Sequence, residues 1–233
     1  MKFFSRMTCQ ISALAVSVLL NLPAVASVVI SGTRVIYPSD AKEVSVKISN
    51  VGPSPVLLQS WVDSGDANAN PSAIKVPFVL TPPINRVEAS KGQTLRISYV
   101  GGGLPMDKES VFWLNVLEIP AKNQTKTNEN RLQIAFRSRI KLFYRPVGLE
   151  GNANDVATSI RWHVQGDKIQ AANPTPYYAS LVTLSVNGKK LENVMLAPRS
   201  SQVLEIPGQA GSKINGAFVN DYGAVLPFNA VVK

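Results

Sequence analysis

Residues 131–146 read RLQIAFRSRIKLFYRP, fifteen positions without Gly or Pro before Pro146 closes the run. Its first half alternates. On an extended chain Leu132, Ile134 and Phe136 share one side, and Gln133, Ala135 and Arg137 share the other. Ile140, Leu142, Phe143 and Tyr144 continue it with β-branched, apolar and aromatic residues, so the run predicts a strand. Fully extended it would span roughly 50 Å at ~3.3 Å per residue, whereas a usual strand has about 5–6 residues. Part of it should project beyond its own sheet. Exposed, alternating apolar residues on a strand edge template pairing with other chains. Two readings stay open on pattern alone: a strand kept for another protein, or an ordinary core strand facing its own sandwich.

The rest of the chain has the same texture. Before this run, residues 28–37, 44–49, 56–62, 94–99 and 111–119 read as strands; after it come 160–164, 168–172, 178–186, 202–206, 212–219 and 225–232. Gly, Pro, Asn, Asp and Ser separate them, and helical periodicity is nearly absent. Short Val- and Ile-rich strands at this spacing predict an all-β fold. Asn187-Gly188 predicts a tight hairpin. Residues 50–55 and 71–73 carry loop chemistry, and 124–131 is a polar, charged loop. Thr81-Pro82-Pro83 is a turn whose first X–Pro bond can take either isomer. Residues 147–155 follow Arg145-Pro146 and are rich in Gly, Asn and Asp, as linkers are. About 100 residues suit one immunoglobulin-like sandwich. Two such β-sandwich domains are expected, over 27–147 and 148–233.

The first 26 residues read as a signal peptide. Lys2 and Arg6 precede an apolar stretch at 11–20, and Ala24-Val25-Ala26 is a small-x-small site that predicts cleavage after Ala26. The apolar stretch falls short of the roughly 20 residues that spanning requires. Export to the periplasm without membrane insertion is the expectation. Removing residues 1–26 leaves 207 of 233 residues and takes the net charge from +9 to +7. Cys9, the lone cysteine, leaves with the leader, so packed cores and not disulfides must hold the mature chain. Its positive charges are scattered, as on a solvated surface, and nucleic acid is not expected as a partner.

Enzyme chemistry finds little support. His163 is the single histidine and lies in a strand-like run. There is no zinc-protease motif and no phosphate loop, and Asp107 with Glu109 is a weak signal for glycosidase work. No catalytic residue, metal or other cofactor is expected. Trp61, Trp113 and Trp162 all lie in strand-like runs, where packing is the expected role. An exported adhesin, a structural pilin or a carbohydrate-binding sandwich is the alternative class. A pilin would be expected to carry an N-terminal donor extension and a disulfide pair.

Several segments in order resemble the periplasmic pilus-assembly chaperones of the chaperone–usher pathway. Gln133-Ile134-Ala135 leading into 140–146 (IKLFYRP) is similar to that family's long strand. Residues 104–110 (LPMDKES), with Asn115 and Glu118-Ile119-Pro120, look like its signature segment. Residues 173–178 (NPTPYY), 195–199 (MLAPR) and 220–223 (NDYG) are similar to second-domain motifs, and Thr33-Arg34 falls where the family places an N-terminal arginine.

The resemblance implies two sandwiches at an angle with a cleft between them. It implies an ATP-independent chaperone that caps pilus (fimbrial) subunits by lending them a strand, then delivers them to the outer-membrane usher. Leu132, Ile134 and Phe136 would fill the subunit's groove, at ~1.5–3 kcal/mol for each side chain buried. Arg34 and Lys141 would anchor the subunit's C-terminal carboxylate. Glu109, Arg145 and Asp221 would fix the angle between the domains. The short segment 121–131 matches the family's short-loop type. A free molecule could hide its edge by self-association. One tension remains: in a regular strand Lys141 faces away from Leu132, Ile134 and Phe136, unless a bulge or twist intervenes.

Overall fold

In this computed structural model the described residues are 27–121 and 134–233. Alternation builds the first sandwich. β3 (Val44–Asn50) buries Val46, Ile48 and Asn50 and exposes the residues between them. β4 (Val56–Asp63) buries Val56, Leu58, Ser60 and Val62. One sheet has the order β1-β3-β7-β5, where β1 is Val28–Ile30, β5 is Phe78–Thr81 and β7 is Gly92–Tyr99. The other has the order β2-β9-β8-β4-β6, where β2 is Arg34–Pro38, β6 is Ile84–Val87, β8 is Ser110–Pro120 and β9 is Phe136–Arg145. The two sheets close on one core that includes Tyr37, Ile48, Leu95, Leu114 and Leu142.

Residues 28–37 were expected as one strand but form two. Gly32 sits between them at φ +106°, in the left-handed region that favours glycine. The break lets the chain change sheets: β1 pairs antiparallel with β3, and β2 runs parallel to β9. Two short strands, β5 and β6, flank the Pro82-Pro83 turn and were not anticipated; the Thr81–Pro82 bond is cis. A 3-10 turn, Pro71–Ala73, occupies an expected loop, with the Asn70 side chain accepting from Ser72 N–H.

The strand expected over 131–145 begins at Phe136 and has ten residues. Ile134 and Ala135 are outside it, and Leu132 lies outside the described residues, as do the leader, Gln133 and the whole of the 124–131 loop. β9 pairs with β8 in unbroken register from Ser110↔Tyr144 to Glu118↔Phe136. No bulge intervenes, so Phe136, Ile140, Leu142 and Tyr144 share one face. Arg137, Arg139, Lys141, Phe143 and Arg145 share the other.

The second sandwich follows a one-turn helix, Val156–Ser159. Its sheets are β10-β11-β14 and β13-β12-β15-β16. These strands are β10 (Arg161–Gln165), β11 (Lys168–Asn173), β12 (Ala179–Val186), β13 (Lys189–Leu196), β14 (Ser200–Pro207), β15 (Lys213–Val219) and β16 (Val225–Val231). Ile169, Leu181, Leu184, Leu196, Ile206 and Ile214 form its centre, with Trp162 stacked near Phe228 at 6.3 Å. The β12–β13 hairpin turns at Asn187 (φ 50°) and Gly188 (φ 80°), the pair of positive angles that a type I′ turn needs.

Candidate functional site

Arg34 and Lys141 meet at the junction of the sandwiches. Arg34 opens β2 and pairs in parallel register with Lys141 of β9, so adjacent strands present both cations on one face. Arg34 Nη1 donates to the Val219 carbonyl of the second sandwich at 2.8 Å. Its guanidinium lies 5.7 Å from the Phe143 ring centroid, and its Nε is buried without a hydrogen-bond partner. Lys141 Nζ donates to Ser180 Oγ, also in the second sandwich, at 3.3 Å. Among the described residues neither cation has a carboxylate within ion-pair distance.

That arrangement is unfavourable for two positive charges. Burial, then the adjacent Arg34 charge, pushes the Lys141 ammonium below the usual lysine range. Burial likewise lowers Arg34, though Asp221 and Glu109 partly offset it. A cleft of about 430 Å³ opens over the pair, lined also by Thr33, Trp113, Arg139, Val219, Gly223 and Val225. Two half-buried cations with unspent donors in a walled cleft suit an anion, and a carboxylate best matches the guanidinium fork.

Arg139 does not add to this free charge. It lies two residues before Lys141 on the same face. Its Nη2 and Nε bond Asp63 at 2.6 and 3.1 Å, and Nη2 also reaches the Gly65 carbonyl at 2.9 Å. Its guanidinium stacks over Trp113 at 4.7 Å, a cation–π contact. Burial alone would raise the Asp63 carboxyl, but hydrogen bonds from Arg139, Asn115 and Gly65 N–H hold it below its usual value. Trp113 and Arg139 therefore form a fixed floor beside Lys141. Sequence reasoning missed this role. The available signal was parity, since Trp113 stands opposite Lys141 in register, between the inward-facing Phe112 and Leu114.

Glu109, Arg145 and Asp221 converge across the junction. The Arg145 fork grips Asp221 at 2.7 and 2.8 Å, and its Nε donates to Glu109 at 2.6 Å. Glu109 is fully buried and also accepts from Tyr178 N–H at 2.8 Å, while its own N–H donates to the Pro176 carbonyl at 2.9 Å. The Tyr177 ring sits 5.3 Å beneath the guanidinium. Burial opposes the Arg145 charge, but hydrogen bonds and charges from Asp221 and Glu109 outweigh it and raise its pKa. Arg145 ends β9 and Asp221 follows β15, so one side chain clasps both sandwiches.

The other end of β9 is open. β2 pairs with residues 141–145 alone, so residues 136–140 are bonded to β8 on one side and have no described strand on the other. Phe136 is 45% exposed and Ile134 is 53% exposed. Phe136 continues the apolar row of Ile140, Leu142 and Tyr144 past the point where its own sandwich covers it. The structure thus brings Arg34 to Lys141 and Glu109 to Arg145 and Asp221, and leaves Ile134 and Phe136 at an uncovered edge.

Known proteins show the same architecture. Residues 27–150 match the family model of the pili and flagellar-assembly chaperone PapD N-terminal domain, and 155–230 match that of the PapD C-terminal domain. The probable fimbrial chaperone YadV of Escherichia coli is 44% identical over 222 residues, 89% of this chain and 90% of its own. The chaperone protein FimB/FhaD of Bordetella pertussis is 44% identical over 233 residues, 95% of this chain and 96% of its own. The solved complex of Salmonella enterica SafA pilin with the SafB chaperone contains a chain with TM-score 0.77 and 31% identity, covering 90% of this chain and 98% of that one. With both family models matched in order along two immunoglobulin-like sandwiches, the chain belongs to the pilus-assembly chaperone family.

Proposed function

We propose that this protein captures pilus subunits by completing their sandwich with its own β9, anchors them by the C-terminal carboxylate, and passes them to an outer-membrane usher. The open edge at residues 136–140 carries this reading. An unpaired strand edge bordered by exposed apolar side chains is unfavourable in solution unless another strand covers it. A subunit lacking one strand has the complementary defect, and main-chain hydrogen bonds close both. Leu132, Ile134 and Phe136 supply the apolar row. Arg34 and Lys141 hold the carboxylate, whose charge answers two cations lacking one. Glu109, Arg145 and Asp221 set the angle between the domains, which we divide after Val147. Residues 1–26 direct export, with cleavage after Ala26, so the work is done in the periplasm. The SafA–SafB complex is a pilin held by a chaperone with this architecture. The test is co-expression with a fimbrial subunit from a neighbouring gene, followed by affinity capture. A 1:1 complex is expected, and a subunit that stays soluble and unbound beside the folded protein would contradict the proposal.

A further inference from the structure

Glu118 is a buried carboxylate with no cation beside it among the described residues. It lies on β8 between Leu58 and Phe136 in the pairing register and is 8% exposed. The Ser27 hydroxyl donates to its Oε1. Among the described residues no Lys or Arg comes within ion-pair distance of it: Arg86 of neighbouring β6 pairs with Glu88, and Arg137 of β9 donates to the Ala67 carbonyl. A buried carboxylate met by one neutral hydroxyl is poorly compensated.

Ser27 is held firmly at this spot. Val51 N–H donates to its carbonyl at 2.7 Å, and Gly52 backs onto it so closely that a Cβ there would stand 2.5 Å from Ser27 Cβ. The Ser27 nitrogen shares a Cα with the Cβ that carries the hydroxyl. Covalent geometry therefore keeps that nitrogen within roughly 6 Å of the carboxylate. While residue 26 is attached, the nitrogen is a neutral amide. Hydrolysis of the Ala26–Ser27 bond consumes one water, leaves a carboxylate on Ala26 and frees an amine on Ser27, which takes up a proton.

We propose that Glu118 is the receptor for the α-ammonium group of Ser27, so that removal of the leader installs an ion pair at the end of the first sandwich, beside Phe136. This rests on the cleavage site given above. The pair makes the mature chain more firmly folded than its precursor. The sign follows from the amine, whose folded-state pKa is raised by the pair. The added stability is full below the ordinary α-amino value of about 7.7–8.0 and is lost as pH rises through the raised value.

The experiment exports the full chain, maps the mature N-terminus by mass spectrometry and titrates the Ser27 amine by NMR. The expected result is a mature chain starting at Ser27 whose amine titrates above that ordinary range by about half a unit or more. Glu118→Gln should return the amine to the ordinary range. Should that variant not fold, a chain carrying one extra Ala before Ser27, with Glu118 intact, supplies the comparison and should also titrate normally. An ordinary value in the wild-type chain overturns the ion pair and leaves the cleavage site standing. A mature chain that starts elsewhere overturns both.

Discussion

Arg34 and Lys141 are direct register partners on adjacent parallel strands, and each sends its cation across the junction to a polar oxygen of the second sandwich. Parallel register is what makes them neighbours: residues more than a hundred positions apart emerge side by side. Among the described residues neither is paired with a carboxylate, so a carboxylate bound between them would relieve two unfavourable charges at once.

Replacing either cation by Ala should weaken subunit capture by about 2 kcal/mol or more, on the order of 30-fold, while the far-ultraviolet circular dichroism stays that of the folded protein. The lysine also sets a pH dependence. In the free protein, burial and Arg34 lower its pKa, and a bound carboxylate restores it, so binding takes up a proton. Affinity should fall as pH rises through the free lysine's value, at lower pH than an ordinary lysine near 10.4 would give. Lys141→Arg should move that fall to higher pH. A flat titration in the wild-type protein would remove Lys141 from the anchor.

Phe136→Asp should abolish capture without unfolding the free protein. Phe136 is half exposed when free, so the change costs the monomer little, yet it would bury a charge in an apolar groove. Ile134→Asp should behave alike. Affinity capture with the co-expressed subunit reads both, and wild-type recovery of complex from either variant would count against strand lending.

Arg145→Ala should be the most destabilising of these changes, by about 3–5 kcal/mol, because it strands the fully buried Glu109. Urea unfolding measures it. A loss under 1 kcal/mol would mean that the clasp does not hold the sandwiches together.

Much of the fold was legible because buried faces alternate visibly, as in Val46, Ile48 and Asn50 against Ser45, Lys47 and Ser49. β13 escaped because its Lys189, Lys190, Glu192 and Asn193 are too polar for the pattern, and it is an edge strand of its sheet. The break at Gly32 was hidden inside an apolar run, since a sheet change needs only one glycine. The Arg34–Lys141 pair was reached through resemblance; no local signal links residues that far apart. The same distance hid the Asp63–Arg139 bond and the part Trp113 plays beneath it. The unbroken β8–β9 register places Phe136 and Lys141 on opposite faces of one strand, so the proposed strand lending and carboxylate anchoring would use different faces.

Hydrogen–deuterium exchange across residues 134–140, with and without bound subunit, tests the central claim most directly. Strand addition predicts that the amides on the open side of β9, which face no described strand, become strongly protected in the complex, along with those already paired to β8. A 1:1 complex in which exchange across 134–140 is unchanged would show that the subunit is held elsewhere.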